Sequence, residues 1–153
     1  MRILEIRQPK ELEKIMQEIR VDPYGMKIML PKALTYLVRI NSLSNVAANI
    51  LKQEMLSLGA DVAIAKEAIT GKAKKTDCLL IANLSQFNNL HGKLAFQPFG
   101  LARLAQDLSL ALSNYRKNNF SLHLGKYELN LNDDYICIMG VVNLTPDSFS
   151  GDG

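Results

Sequence analysis

Apolar side chains recur along this chain at spacings of three to four in some stretches and two in others, and the two periods mark out its elements. Arg2 to Arg7 alternates polar and apolar residues and reads as a short strand. A helix opened by Pro9 follows, with Leu12, Ile15, Met16 and Ile19 on one face. Asp22-Pro23-Tyr24-Gly25 has the composition of a turn, after which Met26 to Leu30 and Leu34 to Ile40 read as strands separated by Pro31. Ser44 is placed to cap a helix whose apolar positions are Ala47, Ile50, Leu51, Met55 and Leu58, and Gly59 ends it. Asp61 to Ala65 and Asp77 to Ala82 are short apolar runs behind an acidic residue. They alternate with helices as the parallel strands of an α/β domain do. The stripe Phe87, Leu90, Leu94 predicts a helix over 85 to 94. Beyond the turn Pro98-Phe99-Gly100, the stripe Leu101, Leu104, Ala105, Leu108, Leu112, Tyr115 predicts another to about Arg116. Residues 1 to 116 are therefore expected to form a mixed α/β domain, with Lys117-Asn118-Asn119 as its boundary.

The pattern changes in the second region, 120 to 153. FSLHLGKYELNL reads as a hairpin turning at Gly125-Lys126. Pairing Leu124 with Tyr127, Leu122 with Leu129 and Phe120 with Leu131 puts every apolar side chain on one face and His123 opposite Glu128 on the other, a sorting that a one-residue slip would destroy. Tyr135 to Val142 then carries no charge, as expected of a strand buried on both faces. At its carboxyl end stand Asn143, Thr145, Asp147 and Ser148, where parallel α/β folds gather ligand-binding side chains.

Composition narrows the classes without choosing among them. The chain has 153 residues, 48% hydrophobic and 22% charged, with a net charge of +3, enough for one sizeable core. Its basic residues are scattered and lack interleaved aromatics, which argues against a nucleic-acid partner. No apolar run reaches the roughly 18 residues of a membrane span, and the charged start Met1-Arg2-Ile3-Leu4-Glu5 is unlike a signal peptide; a cytoplasmic protein without membrane contact is expected. Cys78 and Cys137 lie in apolar runs and read as buried reduced thiols.

The run NLTPDSFSGDG resembles the first strand-loop signature of dihydropteroate synthase, the pterin-binding (β/α)8 barrel enzyme of folate biosynthesis. Asn143, Thr145-Pro146-Asp147-Ser148-Phe149 and Ser150 fit that pattern, whereas Gly151-Asp152-Gly153 departs from it, so no role passes to Asp152. A hairpin just before the first barrel strand is a second point of likeness. The resemblance implies that Asn143 ligates, or lies beside, a Mg2+ on the pyrophosphate of the pterin substrate, an oxygen ligand suiting that ion. It also implies that Thr145, Pro146, Asp147, Ser148 and Phe149 help form the p-aminobenzoate pocket. The reaction implied is displacement of pyrophosphate from the pterin methylene carbon by the amine of p-aminobenzoate. A barrel of this kind needs roughly 250 residues, and one strand and its loop are present here. The expectation is therefore the incomplete beginning of a TIM barrel, inactive alone, with self-pairing into a homodimer open to it through the apolar edge Ile136 to Val142.

Other candidates have plainer readings. Lys66, Lys72, Lys74 and Lys75 lie around Gly71 without phosphate-loop spacing, and read as a solvated basic loop. His91 has no carboxylate or second histidine at ligand spacing and reads as structural, while Asp61 and Asp77 could cap or bind. The alternative function is a non-catalytic ligand-binding or interaction domain carrying a vestigial barrel remnant.

Overall fold

The computed structural model describes residues 1–6, 8–72, 74–132 and 136–141. They fall into two units, Met1–Leu112 and Ser113–Gly153. From the amino terminus the elements run α1 (Pro9–Glu18), α2 (Pro23–Ala33), β1 (Thr35–Ser44), α3 (Asn45–Ser57), β2 (Asp61–Ile64), α4 (Lys66–Ile69), β3 (Lys75–Asn83), α5 (Leu84–Leu94) and α6 (Leu101–Tyr115), all in the first unit except the last turn of α6.

Helix α3 forms where the sequence places it. The Ser44 hydroxyl accepts from the Ala47 amide at 3.3 Å. At the other end Gly59, at φ +68, lets its own amide reach the Leu56 carbonyl and the Ala60 amide reach that of Met55, a Schellman closure. A capping box opens α5: Asn83 Oδ1 accepts from the Gln86 amide and Gln86 Oε1 from the Asn83 amide, each at 2.9 Å. Gln86 Nε2 also donates to the Leu58 and Gly59 carbonyls at 3.1 and 2.8 Å, so one side chain serves the start of α5 and the end of α3. We expect Asn83→Ala to cost about 1 kcal/mol and Gln86→Ala more, because it also removes the bonds to the Leu58 and Gly59 carbonyls. Urea unfolding of the two variants checks that ordering.

The sheet order is β1-β3-β2, and both pairings are antiparallel. This corrects the expectation of parallel strands. A parallel pair needs a crossover of a dozen or more residues, and the link from Ile64 to Lys75 carries only the single turn of α4, so β3 returns beside β2 in the opposite direction. β1 and β2 do run the same way, joined through α3, but β3 lies between them in a split β-α-β arrangement.

One face of this sheet makes the core. Thr76, Cys78, Leu80 and Ala82 of β3 and Val62 of β2 are buried. They form one cluster with Ala47, Ala48, Leu51 and Met55 of α3, Phe87, Leu90 and Leu94 of α5, and Leu101, Ala105, Leu108 and Leu112 of α6, apart from Thr76, whose hydroxyl accepts from the Ala65 amide. Fully burying each large aliphatic here contributes about 1.5–3 kcal/mol. Between α5 and α6 the chain turns at Phe99 and Gly100, with φ +60 and +80.

Three further expectations fail in the amino-terminal part. Residues 2–6 form no strand, and Arg7 lies outside the described residues. Asp22 to Gly25 is not a free turn: Asp22 Oδ1 accepts from the Tyr24 and Gly25 amides at 2.9 and 3.2 Å and caps α2, with Pro23 in its first turn. Met26 to Leu30 is therefore helical, not a strand, and Pro31 sits within the last turn of α2, three residues before its cap, Leu34. Asp-Pro signals both a turn and a helix start, and the helix prevails because Met26 is buried by it.

In the second unit β4 (Phe120–Leu124) and β5 (Tyr127–Leu131) pair in the register read from the sequence, with Phe120 opposite Leu131, Leu122 opposite Leu129 and Leu124 opposite Tyr127. The described residues show mixed α and β structure with small antiparallel sheets and no closed barrel.

Candidate functional site

Asn143, Thr145, Pro146, Asp147, Ser148 and Phe149 all lie outside the described residues, as do Tyr135 and Val142 at the ends of the proposed strand. The approach to them is described. Ile136, Ile138, Met139 and Val141 are about nine-tenths exposed and belong to no strand, so the expected strand buried on both faces is not formed among the described residues. Such burial needs helices on each side, and none of the described residues provides them. Cys137 is exposed for the same reason, and only Cys78 is the buried thiol expected. Burial first, and the adjacent Asp77 carboxylate second, push the Cys78 thiol up, so it stays protonated and inert.

The hairpin leading to this segment has a bare apolar side. Phe120, Leu122, Leu124, Tyr127 and Leu129 share one face by register and are all exposed. Lys117 Nζ lies 5.6 Å from the Phe120 ring centre and Lys126 Nζ 5.2 Å from that of Tyr127, a partial cover by cation–π contact. On the opposite side Ser121 and Asn130 bond at 2.5 Å, next to the pair His123 and Glu128.

Elsewhere the candidate chemistry resolves into structure. Lys66, Lys72, Lys74 and Lys75 are exposed around the α4–β3 link, and His91 is exposed in the last turn of α5. Asp61 Oδ1 accepts from the Val62 amide at 2.9 Å. Asp77 does more: Arg39 donates to it at 2.8 Å and the Ser42 amide at 3.0 Å. Ser42 stands at φ +58 in the register shift of β1 between Ile40 and Leu43, so Asp77 pins that bulge. The partners Arg39 and Ser42 were not legible in the sequence, since both contacts depend on the antiparallel pairing of β1 with β3. Among the described residues there is no group of three or more His, Cys, Asp or Glu able to hold a metal ion, and no helix is long and apolar enough to cross a membrane.

The Arg39 hydrogen bond first, and the Ser42 amide second, hold the Asp77 carboxyl below its ordinary value of 3.8. A lowered carboxyl stabilises the fold above that ordinary value and loses its contribution as pH falls through the folded one. We therefore expect Asp77→Asn to flatten the acid side of the stability-against-pH curve. Chemical denaturation from pH 7 to pH 2 reads this, and parallel curves for the two proteins would contradict it.

The comparisons with known proteins point one way. The chain is 34% identical over 141 residues to the bifunctional dihydropteroate synthase/dihydropteroate reductase of Helicobacter pylori, covering 92% of this chain and 33% of that protein. It is 29% identical over 138 residues to a probable bifunctional folylpolyglutamate synthase/dihydropteroate synthase of Halobacterium salinarum, covering 90% of this chain and 16% of that one. A protein of the same description from Haloferax volcanii is 29% identical over 115 residues, 69% of this chain and 13% of its own length. The chain thus spans a third or less of the curated relatives it matches. No family model matches, and no solved structure does. The likeness to dihydropteroate synthase read from NLTPDSFSGDG and the hairpin holds, and it extends through the amino-terminal domain to nearly the whole chain.

Proposed function

We propose that this chain is the opening part of a dihydropteroate synthase polypeptide, which joins p-aminobenzoate to the pterin pyrophosphate in folate biosynthesis. One observation carries the reading: the three relatives carry different second activities in their names, a reductase in one and a folylpolyglutamate synthase in two, and share only the synthase. A stretch similar to all three goes with the activity they have in common. The bare hairpin face and the exposed Ile136 to Val141 agree with this, since both await a larger body such as a pterin-binding (β/α)8 barrel to cover them.

On this reading Asn143 takes a place beside the leaving pyrophosphate, and Thr145, Pro146, Asp147, Ser148 and Phe149 line the p-aminobenzoate pocket. Pro146 limits the freedom of the loop, and Phe149 offers a ring face to the aromatic substrate. Mg2+ belongs to the proposal too. Its bound charge would offset negative charge growing on the pyrophosphate, with the Asn143 amide oxygen as a hard ligand. A cytoplasmic location goes with these substrates. The 153 residues alone are expected to form no dihydropteroate, because one strand-end loop cannot position two substrates.

Growth of a bacterium lacking its own dihydropteroate synthase tests the reading. The Helicobacter pylori relative with its matched stretch exchanged for this chain should restore growth without supplied folate products. Failure, where the unexchanged relative succeeds, would overturn it.

A further inference from the structure

The sheet of the first unit has a second face, and no helix among the described residues covers it. Along β3 the outward positions are Lys75, Asp77, Leu79 and Ile81. In register, Ile81 stands between Leu37 of β1 and Asp61 of β2, and Leu79 between Arg39 and Ala63. Leu37, Leu79 and Ile81 make a contiguous aliphatic stripe that is 66%, 37% and 36% exposed. An antiparallel sheet with one wet face should alternate apolar and polar residues, yet Cys78 to Ala82 is apolar throughout, the pattern of a sheet covered on both sides.

We infer that this outward face docks residues 1–112 onto the synthase barrel, with one amphipathic barrel helix lying along Leu37, Leu79 and Ile81. This rests on the function proposed above. Size favours a helix over a second copy of the chain. Three strands about 4.8 Å apart span roughly 10 Å, the width of one helix with its side chains. The stripe of Leu37, Leu79 and Ile81, with Ala63 beside it, falls well short of the roughly 800 Å² per partner of a stable protein–protein interface. The rim is polar, with the Arg39–Asp77 pair at one end and Asp61 at the opposite edge, so the covering helix presents a basic residue towards Asp61. The relatives supply the occupant. Two thirds of the Helicobacter pylori protein lies beyond the 33% matched here, and a domain that accompanies the synthase whatever its second activity has the barrel as its constant neighbour.

Cysteine labelling tests this in a polypeptide joining this chain to the barrel of the Helicobacter pylori relative. Leu37→Cys should react with a maleimide, read by peptide mass, at least about tenfold more slowly there than in the 153-residue chain. Gln53→Cys, exposed on α3 away from this face, should react equally in both. Equal rates at position 37 overturn the inference, and so does equal slowing at position 53. Protection of position 37 that grows with concentration in the 153-residue chain alone overturns it in favour of a second copy. Dihydropteroate formation is measured on the same samples. An active polypeptide open at position 37 refutes the docking alone, while a protected but inactive one sustains the docking and refutes the proposed function.

Discussion

In a polypeptide completed with the remainder of the Helicobacter pylori relative, Asn143→Ala is expected to slow pyrophosphate release by roughly 10- to 1000-fold, the scale of one lost electrostatic contact in a transition state. Stability should change by only about 0.5 kcal/mol, as for a surface position. On the proposed reading the two effects separate, because an amide oxygen beside the departing pyrophosphate is needed where charge grows. A plain turn residue predicts the reverse: asparagine bonding its own backbone would lower the melting temperature when removed and leave turnover per folded molecule intact. Rate against Mg2+ concentration distinguishes them further, since losing a ligand raises the Mg2+ needed for half-maximal rate. Unchanged kinetics and unchanged Mg2+ dependence would remove Asn143 from the site.

The second large effect lies in the core. Leu80 is fully buried at the centre of β3, opposite Val38 on one side and Val62 on the other. Leu80→Ala should destabilise the first unit by about 2–5 kcal/mol, transfer and cavity costs together, a large share of the 5–15 kcal/mol that holds a domain folded. Its neighbour Leu79 points the other way and is partly exposed. Leu79→Ala in the 153-residue chain should therefore cost less than about 1 kcal/mol. Urea unfolding of both variants reads the difference, and equal costs would show that the two faces of the sheet are assigned wrongly.

That pair of neighbours also shows what could be read in the sequence. Asp77 to Ala82 was legible as a strand because its run of β-formers is short and bounded, but which way it pairs was not. Direction followed from the ten residues between Ile64 and Lys75, too few for a parallel return. Helices α3 and α6 were legible because period, cap and stop signals agree at Ser44, Gly59 and Gly100. Helix α2 was not, since Asp22-Pro23 and Pro31 serve equally as turn and helix signals and only the burial of Met26 decides between them. The hairpin register was fully legible, because only one pairing sorts Phe120, Leu122 and Leu124 onto one face with Tyr127, Leu129 and Leu131. The candidate loop lies outside the described residues, and its reading rests on the resemblance alone. Asn143, Pro146, Asp147 and Ser148 are common turn residues, and composition does not by itself distinguish a pocket from a turn.

We propose that residues 135 to 153 serve as the first strand and loop of a complete dihydropteroate synthase. Exchanging only that stretch into the corresponding part of the Helicobacter pylori relative tests it most directly, with dihydropteroate formed from p-aminobenzoate and the pterin pyrophosphate as the measured product. The account predicts a rate within about tenfold of the unexchanged protein, equivalent to less than about 1.4 kcal/mol of transition-state stabilisation. A folded exchange protein that forms no dihydropteroate would contradict it.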